Sequence, residues 1–296
     1  MLKYESIAEL VEAARQNNIT ISELVLKDQA DSMELSTEEL YDRMLKSYEV
    51  MKESVGQGMK KDQKSMSGLT GGEAYKVKSY AERTGGGLCG SFISGAIARS
   101  LAVAGCNASM GRIVAAPTAG SCGILPGCLI SLQEEHDLPE EKVVMSMFTA
   151  GAIGMVIASK ASIAGAEGGC QAECGSASAM AAAAMVELMG GTPAQCADAC
   201  AIAISSQMGL VCDPVAGLVE IPCIKRNASG VMIAFSSAEI ALAEVGSRIP
   251  ADECLDAMRE VGNALPTSLK ETAGGGLATT PTGIRLKKEI FGTENQ

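Results

Sequence analysis

The stretch CGSASAMAAAAMVELMG, residues 174–190, decides the fold. Six of its 17 residues are alanine, the residue with the highest helix propensity. Small side chains such as alanine and serine also let neighbouring helices approach the backbone closely. We therefore predict a helix over 174–190 that is buried near the centre of a helical domain.

The sequence around this helix keeps the same character from Gly85 onward, rich in Ala, Gly, Ser, Met and Cys. Start signals such as Thr192-Pro193 and Pro250 favour further helices. We place these at 88–105, 123–135, 139–163, 193–206, 228–245, 251–262 and 283–291. No convincing alternating strand pattern appears. The predicted fold class is mainly α, a helical domain with Gly-rich irregular loops around its site.

The first 58 residues differ in composition and hold most of the long charged side chains. Two capping boxes, Thr20–Glu23 and Ser36–Glu39, indicate amphipathic helices. The second helix carries an apolar stripe at three- and four-residue steps, formed by Leu40, Met44, Tyr48, Met51 and Val55. We predict a helical extension at 1–58 that is a candidate for subunit docking. A loose segment, 55–72, then leads into a second helical domain at 59–296, which is expected to carry the functional site.

Composition and charge exclude several classes of function. The chain has 296 residues, is 47% hydrophobic and carries a formal net charge of −11, without a Lys/Arg cluster, so nucleic acid is not an expected partner. The apolar run 143–158 is shorter than the ~20 residues that a membrane span needs. Eleven cysteines, an odd number, after a charged and polar start favour free thiols in the cytoplasm.

Three cysteines lie in segments broken by glycine and proline and not on a smooth apolar helical face. Cys170 is in AEGGCQAEC, and Cys212 and Cys223 are in VCDPVAGLVEIPCIKRN. Cluster-binding iron needs thiolate sulfur, and turns at glycine and proline let separate loops converge on one point. These residues are therefore candidate metal ligands, although spacing alone leaves core packing as an equal alternative.

The other cysteines have simpler interpretations. Cys174 is four residues after Cys170 and stays an alternative ligand. Cys122, in the loop TAGSCG, is expected to line the site without binding iron. The remaining six are expected to pack in the core, because free cysteine is among the most buried residue types: Cys89, Cys106, Cys128, Cys196, Cys200 and Cys254.

Five ordered blocks of the sequence resemble the α chain of the bacterial iron-sulfur-dependent L-serine dehydratases. They are SMSGLTGGEA (65–74), MGRIVAAPTAGSCGILPG (110–127), AGAEGGCQAECGSASAMAAA (164–183), GLVCDPVAGLVEIPCIKRNA (209–228) and LPTSLKETAGGGLATTPTG (265–283). In that family three cysteines hold a [4Fe-4S] cluster and leave the fourth iron for substrate. The resemblance assigns these ligands to Cys170, Cys212 and Cys223.

The implied reaction is the deamination of L-serine to pyruvate and ammonia. The open iron acts as a Lewis acid on the substrate hydroxyl and carboxylate. The single histidine, His136, lies in the polar segment QEEHDLPEE and is expected to be exposed and not catalytic. The family carries histidine-bearing motifs in a β portion that is absent from this sequence. We therefore expect a heteromeric enzyme whose partner β chain supplies the general base.

Hydroxyls and backbone amides of two loops are candidate substrate-binding groups. Ser65, Ser67, Gly71 and Gly72 lie in one of these loops and Thr118 lies in the other. Such groups suit the carboxylate or the ammonium of serine, although ordinary turn formation explains them equally well.

Three other functions are compatible with parts of the sequence. A pyridoxal-phosphate lyase would use a Gly-rich loop for phosphate and Lys160 or Lys225 for the Schiff base. A non-catalytic iron-sulfur redox protein would need a complete shell of four thiolates. A cluster-dependent L-cysteine desulfidase would use the same site with a different leaving group.

Overall fold

Thirteen α-helices and no β-strand form the described part of the chain, residues 4–292 of a computed structural model. This confirms the mainly α fold class. The helices are α1 (Ile7–Asn17), α2 (Ile21–Met33), α3 (Thr37–Gly58), α4 (Glu73–Thr84), α5 (Gly90–Ala108), α6 (Ile124–His136), α7 (Glu140–Lys160), α8 (Gly165–Gly168), α9 (Ser176–Leu188), α10 (Pro193–Ser206), α11 (Cys223–Leu242), α12 (Ala251–Ala264) and α13 (Pro281–Phe291).

Helix α9 lies at the centre of the fold, as the alanine-rich stretch predicts. Apart from Glu187, all of its residues are buried. It packs against α6, α7, α10 and α11, so four helices surround it. Its start differs from the prediction, because residues Gln171–Gly175 form a π-helical turn immediately before α9. Such turns are rare and often occur at functional sites.

Three helices were not predicted, α1, α4 and the four-residue α8, and one begins earlier than predicted. Helix α4 buries only Ala74 and Ala81, so its charged sequence gives a weak apolar pattern. Helix α1 is likewise absent from the prediction. Helix α11 begins at Cys223 and not at 228. Its N-cap is Pro222, which lacks a backbone N–H and therefore suits a helix start.

The N-terminal helices pack into the same core as the rest of the chain. Both predicted capping boxes form. The apolar stripe of α3 faces α5 and α7, and its Leu40, Tyr48 and Met51 are buried. The following loop is fastened to the end of α5, because the Gln63 side chain donates to the carbonyl of Gly105 at 2.7 Å. The stripe is therefore covered by this chain, while subunit docking by other faces of residues 1–58 stays a prediction.

Helix α3 crosses α5 so closely that only glycine fits at the contact. A Cβ atom on Gly58 would lie 1.7 Å from the carbonyl oxygen of Ala102. We expect Gly58→Ala to lower the free energy of unfolding by about 1–3 kcal/mol, measured by urea denaturation, because the two helices must separate. Gly56→Ala is the matched control: this glycine is exposed on the same helix, with nothing within 4 Å of its Cβ position. It should stabilise the protein by about 0.5–1 kcal/mol. Equal effects of the two variants would contradict this packing.

Helix α7 is long and apolar enough to cross a membrane by length and composition alone. In the structure, 67% of its most apolar window is buried. It packs against α9, α2 and α3. These contacts are those of a core helix.

Candidate active site

Three separate segments bring Cys170, Cys212 and Cys223 to one region. Cys170 directly precedes the π-helical turn, and Cys223 is the first residue of α11. Cys212 lies between α10 and α11, where it forms an isolated parallel β-bridge with Lys270. The backbone N–H of Gln171 donates to the carbonyl of Leu210 at 2.9 Å, which joins the first two segments. All three thiols are buried.

The thiols are close enough to affect one another's ionisation. Burial raises the pKa of the Cys212 thiol, and the neighbouring Glu173, Cys170 and Cys223 raise this pKa further. Burial also raises the pKa of Cys223 to about 12, and Cys170 again contributes. In the absence of a compensating positive charge, three thiolates therefore repel one another here. A group that binds thiolates and carries positive charge would relieve this repulsion.

Cys170 and Cys174 form a hydrogen-bonded pair, with their sulfur atoms 3.4 Å apart. The hydrogen bond with Cys174 lowers the pKa of Cys170, and the charge of Arg226 lowers it further. The pKa of Cys174 is raised by the same hydrogen bond and by burial. Cys170 is therefore the thiol of the pair that loses its proton more readily, and metal ligands must be ionised thiols.

A buried carboxyl group, that of Glu173, lies beside Cys212. Its Oε1 accepts a hydrogen bond from the Thr118 hydroxyl at 2.8 Å, and its Oε2 is 4.0 Å from the Cys212 sulfur. Burial raises the pKa of Glu173. Gly165 leaves the necessary space, because a Cβ atom there would lie 2.8 Å from Oε2 and 3.0 Å from the sulfur. The site thus holds a carboxyl group that keeps its proton to higher pH than an exposed glutamate does.

The loop of Ser65 and Ser67 is attached to the segment that precedes Cys223. The hydroxyl of Ser67 donates to Glu220 at 2.8 Å and that of Thr70 donates to the same carboxylate oxygen at 3.0 Å. Ser65 lies behind Ser67, with the two hydroxyl oxygens 3.4 Å apart. Glu220, itself buried, therefore connects the predicted substrate loop with the cysteine-bearing segment.

Gly71 and Gly72 have a packing role in the same loop. A Cβ atom on Gly71 would lie 2.4 Å from the carbonyl oxygen of Gln63. Gly72 caps α4 in a left-handed conformation with φ of 71°. Its N–H donates to the Gln63 side chain at 3.4 Å. These observations explain both glycines by chain geometry, and contact with substrate stays a prediction for them.

The donor set suits a cluster better than a single ion. Among residues 4–292, no group of three or more His, Cys, Asp or Glu side chains is arranged to hold one metal ion. In a [4Fe-4S] cluster each thiolate binds a different iron, so its ligands stand farther apart than those of a single ion. The three candidate ligands are buried thiols from separate segments that influence one another's pKa, and thiolates are the ligands that such clusters take.

Comparisons with known proteins place the chain in a family. The family model described as serine dehydratase alpha chain matches residues 16–278. This chain belongs to the serine dehydratase alpha chain family. It is 47% identical to the probable L-serine dehydratase, alpha chain, of Bacillus subtilis (strain 168), over 98% of this chain and 96% of that protein. The L-serine dehydratase, alpha chain, of Peptoniphilus asaccharolyticus is 43% identical, over 96% and 97% of the two chains.

A longer relative matches the chain over only part of its own length. The L-serine dehydratase of Streptomyces coelicolor is 37% identical over 91% of this chain but only 59% of that protein. Together with the two alpha chains, this relative confirms the resemblance that the five sequence blocks indicate.

Most of the predicted core cysteines are buried, and one prediction was wrong. Cys89 is exposed, because it is the N-cap residue of α5 in a loop with three glycines before it. The other five pack in the interior: Cys106, Cys128, Cys196, Cys200 and Cys254. Cys122 is also buried and its thiol donates to the carbonyl of Val103 at 3.9 Å, so it points into α5. His136 is exposed, as predicted, in the last turn of α6.

Besides the buried Asp213, sequence reasoning missed three further charged residues of this region that are buried or half-buried: Glu173, Glu220 and Arg226. Each lies within one of the five blocks, beside a candidate ligand or within a few residues of it. A charged residue in an otherwise apolar, glycine-rich block rarely becomes buried unless it is paired. That signal was present in the sequence and would have selected all three.

Proposed function

We propose that this chain is the α chain of an enzyme that deaminates L-serine to pyruvate and ammonia, and that it holds a [4Fe-4S] cluster through Cys170, Cys212 and Cys223. The observation that carries the proposal is the convergence of three buried thiols, from three separate segments, in a chain of the serine dehydratase alpha chain family. The same residues match the ligands that the five-block resemblance implies.

The three thiolates would leave one iron without a protein ligand. When bound, the cluster supplies a Lewis acid for the hydroxyl and the carboxylate of serine. The protein supplies the groups around it. Thr118 fixes Oε1 of Glu173 by a hydrogen bond of 2.8 Å. Burial raises the pKa of Glu173, and its Oε2, the atom that faces Cys212, lies 4.0 Å from that sulfur.

Substrate binding by Ser65, Ser67, Gly71, Gly72 and Thr118 remains part of this proposal. Thr118 is connected to the thiols, because the Glu173 carboxyl group that it contacts also faces Cys212. The hydroxyl of Ser67 is held by Glu220 and so has a fixed position before substrate arrives. Because its proton is donated to Glu220, the Ser67 oxygen can accept a hydrogen bond from the substrate ammonium without a large cost in conformational entropy.

We further propose that a β chain completes the active site. The names of the two full-length relatives contain the words alpha chain, and the Streptomyces enzyme is longer than this chain. His136 is in the last turn of α6, at the end far from the candidate site. The start of α6 is attached to the site through the Asn227 side chain, which accepts a hydrogen bond from the N–H of Gly123 and donates one to the carbonyl of Cys223. The 13 residues of α6 separate these ends by about 20 Å. The general base is therefore expected from the partner chain. The enzyme is expected in the reducing cytoplasm, where free thiols persist.

A non-catalytic redox protein is the alternative that one observation favours, because Cys174 offers a fourth buried thiol beside Cys170. Thiolates that bind different irons are separated by the width of the cluster, so two sulfurs 3.4 Å apart cannot both be ligands without rearrangement. We therefore expect Cys174→Ser to keep the iron content and the dehydratase activity of the unmodified protein. Loss of the cluster in this variant would favour the redox alternative.

The pyridoxal-phosphate alternative has little support in the geometry. Lys160 forms an ion pair with Asp252 at 3.2 Å, and Lys225 is exposed. Neither is the buried, unpaired lysine that a reactive Schiff base requires.

Product analysis tests the proposed reaction against cysteine desulfidation. Protein purified without oxygen, with its co-expressed partner, is given L-serine or L-cysteine, and pyruvate and released sulfide are measured. The proposal expects pyruvate from L-serine at a higher kcat/KM than from L-cysteine. Sulfide release from L-cysteine as the faster reaction would instead support the desulfidase.

A further inference from the structure

Arg226 is a half-buried cation that contacts the cysteine-bearing segments. It lies in the first turn of α11, three residues after Cys223. Its Nη1 donates to the carbonyl of Val211 at 2.8 Å and its Nη2 donates to Asp213 Oδ1, also at 2.8 Å. These acceptors flank Cys212 on both sides. One guanidinium group therefore fixes the backbone around Cys212 relative to the helix that begins with Cys223.

Asp213 extends this connection to a third segment. Its side chain is 5% exposed, and its second oxygen, Oδ2, accepts a hydrogen bond from the N–H of Leu277 at 2.8 Å. The preceding residue, Gly276, has φ of 59°, and a Cβ atom there would lie 2.4 Å from Oδ2. The glycine-rich loop AGGGLATT (273–280) therefore packs directly against the side chain of Asp213.

The guanidinium also acts on the third candidate ligand. The Arg226 side chain interacts with the thiol of Cys170, by charge and by a side-chain hydrogen bond. Glu173 and Glu271 contribute negative charge to the same region. A planar guanidinium with several donors in a fixed geometry can satisfy a carbonyl, a carboxylate and a nearby thiolate together, whereas a lysine ammonium cannot reproduce that arrangement.

We propose that Arg226 is the positioning residue of the cluster site: it fixes Cys212 relative to Cys223 and supplies the positive charge that the converging thiolates require. This inference rests on the proposed function, because it takes those cysteines as the cluster ligands. Residues that do not bind the metal but hold its ligands in position usually contribute a factor of about 10–100 in metal affinity. The charge and hydrogen bonds around a cluster also set its reduction potential.

The test compares Arg226→Gln and Arg226→Lys with Arg259→Gln. Arg259 is a matched control, because it also donates to a backbone carbonyl, that of Lys160, and to an aspartate, Asp256. Its side chain is 49% exposed, against 15% for Arg226. The cluster is assembled anaerobically in each protein with limiting iron and sulfide. Iron content, the rate of cluster loss to a chelator and the cluster reduction potential are then measured, and circular dichroism checks the fold.

We expect Arg226→Gln to lose its cluster about 10–100-fold faster than the unmodified protein. Its reduction potential should be more negative, because a positive charge beside the cluster is gone. Arg226→Lys should keep most of the potential while losing the cluster at an intermediate rate, and Arg259→Gln should change neither quantity. If Arg226→Gln keeps its cluster and its potential, the inference is wrong even though the proposed function stands. If the unmodified protein assembles no cluster, the proposed function itself fails.

If Arg226→Gln does not fold, Asp213→Asn provides the same test. It keeps the shape of the side chain and the arginine but weakens the contact between them. Faster cluster loss is expected in this variant as well, and an unchanged rate would overturn the inference.

Discussion

Replacing Cys212 or Cys223 with serine is expected to remove the cluster and the dehydratase activity together. A serine hydroxyl is not ionised at neutral pH and does not bind cluster iron as thiolate does. Each cysteine comes from a separate segment, so no neighbouring thiol replaces it at the same position. Iron and acid-labile sulfide should fall to background in both variants, and pyruvate formation from L-serine should become undetectable. This is the largest effect that we expect from single substitutions.

Cys200→Ser is the matched control for these variants. Cys200 is a fully buried thiol on α10 and belongs to the hydrophobic core. Burying a hydroxyl there should cost about 1–3 kcal/mol of stability, while the iron content stays unchanged. If all three variants lose iron equally, the ligand assignment is wrong, because the loss would then follow from disturbed folding.

Omitting the partner chain is expected to lower pyruvate formation by about 10²–10⁴-fold without removing the cluster. That range is the usual contribution of a general base. The ligands all belong to this chain, so the cluster should assemble without the partner. The measurement compares the chain purified alone with the chain purified after co-expression, at equal iron content. Addition of the separately purified partner should restore the rate.

Full activity of the chain alone would contradict this account of the base. In that case Glu173 becomes the candidate general base, because its carboxyl group lies beside Cys212. Glu173→Gln should then abolish the activity. If the chain alone holds no iron, the partner instead contributes to cluster assembly, and the proposal that the cluster is held by this chain is wrong.

Much of the fold was accessible from the sequence because its signals are local. The alanine-rich stretch and the capping boxes at Thr20, Ser36 and Thr192 fix helices through backbone chemistry within a few residues. The same reasoning failed for α4, whose helix starts at a left-handed Gly72 without a side-chain cap. It also failed for Cys89, because residue type alone does not report that a glycine-rich loop carries this thiol to the surface.

The candidate site was predictable only in part, because its side chains are positioned by hydrogen bonds between residues that are distant in sequence. The cysteines stand out through their glycine and proline surroundings and through the family resemblance. The hydrogen bond from Thr118 to Glu173 and the hydrogen bond from Ser67 to Glu220 join segments far apart in the chain. Sequence spacing does not encode such pairs. The double contact of Arg226 on both sides of Cys212 likewise appears only in the folded chain.

The most direct test of the central claim is the iron and acid-labile sulfide content of the unmodified chain, purified without oxygen. We expect about four iron and four sulfide per chain, the composition of one [4Fe-4S] cluster. The cluster should be lost on exposure to air, together with the pyruvate formation from L-serine that is measured after addition of the partner chain. Fully active protein that contains neither iron nor sulfide would contradict the account.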